Sequence, residues 1–132
     1  MIDSHCHLNF DSLISNFDSI IKRAIKNKIR AILSINTNPN EFDSHYQLIK
    51  KYQSIFISYG LHPEHANKSN IISIEDLKSF SSYDRVVGIG ETGLDFYYSD
   101  KHKKAQYQTF ENHIACSYET NLPLIIHQRN SE

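Results

Sequence analysis

Residues 86–95 read Val86-Val87-Gly88-Ile89-Gly90-Glu91-Thr92-Gly93-Leu94-Asp95. The apolar run 86–90 predicts a buried strand, and it ends on a carboxylate. A carboxylate there is costly unless it is paired or holds a cation. The glycines permit tight turns and close backbone approach. Gly88, Gly90 and Gly93 also spell GxGxxG, but a glutamate inside that pattern would repel a pyrophosphate, so a phosphate-cradling loop is set aside. Working outward, Arg30 to Ile35 (RAILSI), Ile55 to Leu61 (IFISYGL) and Leu122 to Ile126 (LPLII) are three more compact apolar runs, and Ile2 to Ser4 is a short one. Their strand ends carry His5 and His7, Asn36, His62, Glu91 and His127.

Between the runs the apolar spacing is helical. Leu13, Ile14, Phe17, Ile20, Ile21, Ala24 and Ile25 recur at three- and four-residue steps, with Asp11 or Ser12 as cap. Phe42, Tyr46, Ile49 and Tyr52 make a second stripe, capped near Asn40. A short helix over Ile74 to Phe80 follows Ser73, and a longer one over Lys101 to Thr120 ends at Asn121. The order is βαβαβαβαβ, five parallel strands and four helices, with crossovers long enough for parallel pairing. In a doubly wound sheet only one switch point binds ligand. In a (β/α) barrel every strand end meets at one face. Five chemically capable strand ends favour the barrel. Five strands are about half of a usual barrel of roughly 250 residues. The expected fold class is therefore α/β, a partial TIM-type barrel that is truncated and leaves open sheet edges.

Composition bounds the rest. The 132 residues carry 14 basic and 15 acidic side chains, with 39% hydrophobic residues, as in an ordinary globular domain. A net charge of -1 gives no electrostatic footprint for nucleic acid. No apolar run approaches the roughly 20 residues of a membrane helix. The start, MIDSHCHLNF, has no signal-peptide pattern, so the expected compartment is the cytoplasm, with Cys6 and Cys116 as free thiols.

Eight histidines make placement the question. In Asp3-Ser4-His5-Cys6-His7, residues two apart in an extended segment point the same way, so His5 and His7 offer two imidazoles to one metal. Asp3 is expected to orient one of them as an acceptor. His127 and Arg129 share a face after LPLII; the imidazole suits a metal and the guanidinium a phosphate. Alone, each motif also has an ordinary reading: a chance histidine pair, a salt-bridged glutamate, a polar chain end. His45 and His102 are expected on solvated helix faces, and His65 on the surface. His113 is expected as a hydrogen-bonded core residue, and Tyr97 and Tyr98 as packing residues.

Together and in order, the motifs resemble the TatD family of metal-dependent hydrolases. Gly60-Leu61-His62-Pro63 is similar to that family's GLHP segment, and Gly90 to Tyr98 to its GE-GLD-YY segment. Gln106, Phe110 and His113 match its Q-F-H spacing before LPLIIHQR. The resemblance covers essentially the whole chain and assigns residues 1–132 to the amino-terminal half of such a barrel. It implies a hydrolase acting on ester bonds, a deoxyribonuclease cleaving DNA phosphodiesters with two divalent ions (Zn, Mn or Mg). His5 and His7 would bind the first ion, with Glu91 as bridging and catalytic residue and His127 on the second. Arg129 and His62 would hold the substrate phosphate. Family members add a histidine after a sixth strand and an aspartate at the last one. Neither position falls within residues 1–132, so a separate carboxy-terminal half is an expected partner. Two other readings compete. Amidohydrolase-type barrels acting on other substrates often bridge their metals with a carbamylated lysine, where this chain has Glu91. A non-catalytic fragment of a split gene is the third.

Overall fold

The computed structural model describes all of residues 1–132. Five strands, β1 (Ile2–Cys6), β2 (Ala31–Ser34), β3 (Ile55–Tyr59), β4 (Val86–Asp95) and β5 (Leu124–Arg129), form one sheet in the order β1-β2-β3-β4-β5. Every neighbouring pair is parallel. Sequential order with no reversal has no switch point; it is the progression of a barrel wall. The half-barrel expectation holds in this respect, and β1 and β5 each pair on one side only.

Five α-helices are present where four were expected, because the first predicted helix is two. Helix α1 (Asp11–Ile14) ends at Ser15, and α2 (Phe17–Lys26) restarts after Asn16, whose φ of -124° and ψ of 23° are non-helical. Neither Asp11 nor Ser12 caps α1; Phe10 holds that position without a side-chain bond. Helices α3 (Phe42–Ile49), α4 (Ile74–Ser81) and α5 (Lys103–Thr120) follow, with 3₁₀ turns at Pro39–Glu41 and Pro63–His65. Ser73 caps α4 as its sequence position predicts, its hydroxyl accepting from the Asp76 amide at 3.1 Å. Asn121 ends α5 in the left-handed region, φ 55°.

The core lies between the sheet and the helices. Ile21, Ile49, Ile55, Ile57, Leu77 and Ile89 are all buried there, each worth about 2 kcal/mol of transfer free energy. Phe42, Tyr59 and Phe80 form an aromatic cluster, with the Tyr59 and Phe80 rings stacked 4.3 Å apart. Just past the end of β3 and midway along β4, two glycines let the backbones meet. A Cβ on Gly60 would fall 2.6 Å from the carbonyl carbon of Gly90, and Gly90 itself has φ +126°. Backbone cannot yield as a side chain does, so Gly60→Ala is expected to destabilise the chain by about 3 kcal/mol. Chemical denaturation showing a loss below 1 kcal/mol would contradict this account.

Candidate functional site

Glu91 lies where the β4–β5 register shifts, between Ile89 and Thr92. Such irregularities re-aim side chains, often beside active sites. Its residue is 6% exposed, and its ionic neighbours are three histidines rather than an arginine or lysine. Oε2 is 3.6 Å from Nε2 of His5 and 4.0 Å from Nε2 of His7; Oε1 is 3.4 Å from Nδ1 of His127. No side-chain hydrogen bond joins them. Donors bound at roughly 2.0–2.2 Å to one ion lie roughly 3–3.5 Å apart. The separations in this site are near that range, and the donor set is the mixed nitrogen and oxygen set that divalent metals take. Two groups, His5 with His7 and Glu91, and His62 with Glu91 and His127, have donor atoms within 4.8 Å of one another. The residues present thus fit divalent ions, with Glu91 common to both groups.

Hydrogen bonds decide which nitrogen each ring presents. A carbonyl only accepts, so His7 donates Nδ1–H to the Ile35 carbonyl at 3.2 Å. In a neutral imidazole that leaves the Nε2 lone pair toward Glu91. His62 is the reverse case. As N-cap of the 3₁₀ turn Pro63–His65, its Nδ1 accepts from the Glu64 amide at 3.2 Å. Its hydrogen therefore sits on Nε2, and the ring is a donor. Burial, and then the neighbouring charge of His127, pulls its pKa down to about 4, so it is neutral near pH 7. The His62 and His127 rings are 4.3 Å apart.

Asp95 opposes Arg129 across the β4–β5 ladder. Its Oδ2 accepts from Arg129 Nη2 at 2.6 Å and meets His127 Nε2 at 3.0 Å; its Oδ1 accepts from Arg129 Nε at 3.1 Å and the Tyr97 amide at 3.0 Å. Burial raises the Asp95 carboxyl's pKa and is the largest single influence. The Arg129, Tyr97 and His127 hydrogen bonds together outweigh it and hold the pKa at about 2. The Arg129 guanidinium also lies 4.7 Å from the Tyr97 and Tyr98 ring centres.

The structure brings His5, His7, His62, Glu91, His127 and Arg129 to one end of the sheet. Other placements differ from expectation. Asp3 touches no imidazole; its carboxylate accepts from the His5 backbone amide. Asn36 is fully buried, its carbonyl accepting from the Glu91 amide and its side-chain amide unpartnered. Tyr97 and Tyr98 are 57% and 73% exposed rather than packed. His45 is buried rather than solvated, its Nε2 2.7 Å from the Ser34 hydroxyl, which also accepts from the Leu8 amide. His113 is buried as expected. It accepts from the Leu61 amide at 3.1 Å and donates to the Thr109 carbonyl.

Sequence reasoning named Gln106 only as part of a spacing. Its side-chain amide clasps the Asp95 backbone, accepting from N–H and donating to C=O at 2.9 Å each. With His113 on Leu61, α5 braces the ends of both β3 and β4. The signal was available: a long helix whose buried residues, Ala105, Gln106, Thr109, His113 and Cys116, include three polar side chains.

Comparison with known proteins identifies the family and agrees with the fold. The family described as TatD related DNase matches residues 2–132. An uncharacterized metal-dependent hydrolase of Buchnera aphidicola is 37% identical over 99% of this chain and 53% of its own length. The uncharacterized metal-dependent hydrolase YcfH of Escherichia coli is 31% identical over 99% of this chain and 50% of its own. The crystal structure of YjjV, a TatD homologue of Escherichia coli, superposes with a TM-score of 0.83 at 26% identity, over 99% of this chain and 51% of that one. No helix is long and apolar enough to cross a membrane. The chain belongs to the TatD family of metal-dependent hydrolases, and it spans about half the length of the relatives it matches.

Proposed function

We propose that this chain carries part of the centre of a two-metal phosphodiesterase that acts on DNA. The observation that supports it most is the Glu91 carboxylate, buried without a lysine or arginine partner and set between His5 and His7 on one side and His127 on the other. In this reading His5 and His7 would hold one divalent ion and His127 a second, with Glu91 placed to serve both. Bound there, divalent ions supply Lewis-acid polarisation of a phosphoryl oxygen and of water.

The chain's own residues do the rest. Glu91 supplies the negative charge that draws two cations to neighbouring positions. His7, fixed by the Ile35 carbonyl, keeps Nε2 aimed inward. His62 presents an N–H beside His127 and donates to a substrate phosphate oxygen. Arg129 has its Nε and one Nη2 hydrogen committed to Asp95, so it faces the phosphate with its remaining N–H groups. Four protein donors shared by two ions leave coordination positions open to substrate, water or further protein donors. DNA as substrate rests on the family's description.

The test is hydrolysis of a single-stranded oligonucleotide with Mn²⁺ or Zn²⁺ added to the chelator-treated chain. Metal-dependent cleavage is expected. Tight metal binding with no phosphodiester turnover, but turnover of an amide or lactone, would overturn the substrate assignment.

The His62 assignment makes its own prediction. His62→Ala is expected to raise KM roughly tenfold, the loss of one hydrogen bond to a charged oxygen, while metal affinity stays within about twofold. A metal affinity lowered tenfold or more by His62→Ala would make it a ligand instead.

A further inference from the structure

The Asp95 carboxylate meets the metal-side histidine His127 and the substrate-side arginine Arg129 together. The geometry points to Asp95 as the positioning residue of His127, fixing it in the Nε2–H tautomer so that Nδ1 is the donor atom aimed at Glu91. This rests on the proposed metal-centre reading only for its functional consequence; the tautomer itself is a property of the chain.

The argument is one of donors and acceptors. Both Asp95 oxygens already accept from groups that only donate, Oδ1 from the Tyr97 amide and Oδ2 from Arg129 Nη2, so the carboxylate is an acceptor toward His127 as well. The 3.0 Å contact with His127 Nε2 therefore requires the hydrogen on that nitrogen. In the neutral imidazole Nδ1 then carries the lone pair, 3.4 Å from Glu91 Oε1. His7 reaches the same Glu91 through Nε2, because its Nδ1–H is held by the Ile35 carbonyl. The two rings thus present opposite nitrogens, each set by the bond on its far side. A metal-facing imidazole held this way keeps its orientation and basicity. Asp95 is itself held from behind, since Gln106 clasps both backbone groups of the residue. Its side chain is almost fully buried, so water does not compete for the carboxylate.

Asp95→Asn tests this with little change of shape. The Tyr97 amide is fixed backbone and requires the Asn oxygen at the Oδ1 position, whereas the Arg129 side chain is partly exposed and free to move. The Asn NH₂ then takes the place of Oδ2, displaces the Arg129 Nη2 and Nε contacts to that atom and donates to His127 Nε2, which moves the ring hydrogen to Nδ1 and blocks the donor atom. Nitrogen-detected histidine NMR of the metal-free chain reads the tautomer directly. The expected result is Nε2–H for His127 in the unaltered chain and Nδ1–H in Asp95→Asn. Calorimetric titration with Zn²⁺ alone is expected to show an affinity lowered roughly 10- to 100-fold. Arg129→Gln separates the two functions of the carboxylate: the tautomer stays Nε2–H and the Zn²⁺ affinity changes less than about threefold. An unaltered chain with His127 as Nδ1–H, or Asp95→Asn binding Zn²⁺ as the unaltered chain does, would overturn the assignment. If the unaltered chain binds no Zn²⁺ at all, the metal-centre reading fails, and the NMR tautomer still decides for or against Asp95. An amide spectrum of each variant shows that it is folded.

Discussion

Glu91→Gln is expected to lower metal-dependent phosphodiester hydrolysis by about 10³-fold or more, equivalent to roughly 4 kcal/mol of lost transition-state stabilisation. The substitution keeps the size of the side chain and removes the charge that the two histidine groups share. His5 and His7 lie on one side of the carboxylate and His127 on the other, so a neutral amide would weaken both of the proposed ion positions at once. Stability should move the other way. In the metal-free chain Glu91 is a buried carboxylate with no hydrogen bond from any side chain, a costly arrangement. Replacing it with an amide is expected to be neutral or stabilising, by about 1 kcal/mol, read as a higher denaturation midpoint without metal. Activity lost together with stability would show that Glu91 is structural; activity retained would sink the bridging assignment. Opposite signs for function and stability are the pattern of a group kept for chemistry.

The elements that position this group differ in how legible they are from sequence. The order of strands and helices follows from apolar runs and three- and four-residue spacing, because both report which side chains face a core. The face on which His5, His7, Glu91 and His127 meet follows from the same runs, since parallel strands with sequential order present their ends together. Register is what local pattern does not carry. The run 86–90 stops at Glu91, yet β4 continues to Asp95 and pairs it with Arg129 on β5. That pairing, rather than any spacing along the chain, joins Asp95 to Arg129 and His127. Helix faces fail for a related reason. Phe42, Tyr46, Ile49 and Tyr52 look like one stripe, but His45 is the buried neighbour of Phe42 and Ile49. A histidine there looks polar until its Ser34 partner is known. Helix α5 hides its function in the same way, burying Gln106, Thr109 and His113 toward the strand ends it braces. Asp3 shows the converse. Its position beside His5 and His7 suggested a ring partner, and a local turn bond to the His5 amide takes its carboxylate instead.

Acidification from pH 7.5 to pH 5 is expected to cost the metal-free chain about 4 kcal/mol of stability through His45 and His113, with a smaller loss in the same direction from the less buried His62. Burial pushes His45 and His113 down to about 4 from an ordinary 6.5. A folded pKa below the unfolded one means that the unfolded chain takes up the proton first. Above pH 6.5 both states are neutral and the effect is absent; between 6.5 and 4 stability falls as pH falls, by roughly 2 kcal/mol per buried histidine at pH 5. Asp95 acts in the same direction but only below its unfolded value of 3.8, as pH falls toward 2, so the two windows do not overlap. Urea unfolding at the two pH values measures the difference, and equal stabilities would refute it. His113→Gln is expected to be less stable at pH 7.5 and to lose about 2 kcal/mol of the pH dependence. The consequence is local as well as global. His113 Nε2 accepts from the Leu61 amide, and a proton on that nitrogen sets donor against donor. The segment released is the one that carries His62 to the site. Hydrogen exchange at the Leu61 and His62 amides should therefore accelerate at pH 5, relative to intrinsic rates, before the core of β3 opens.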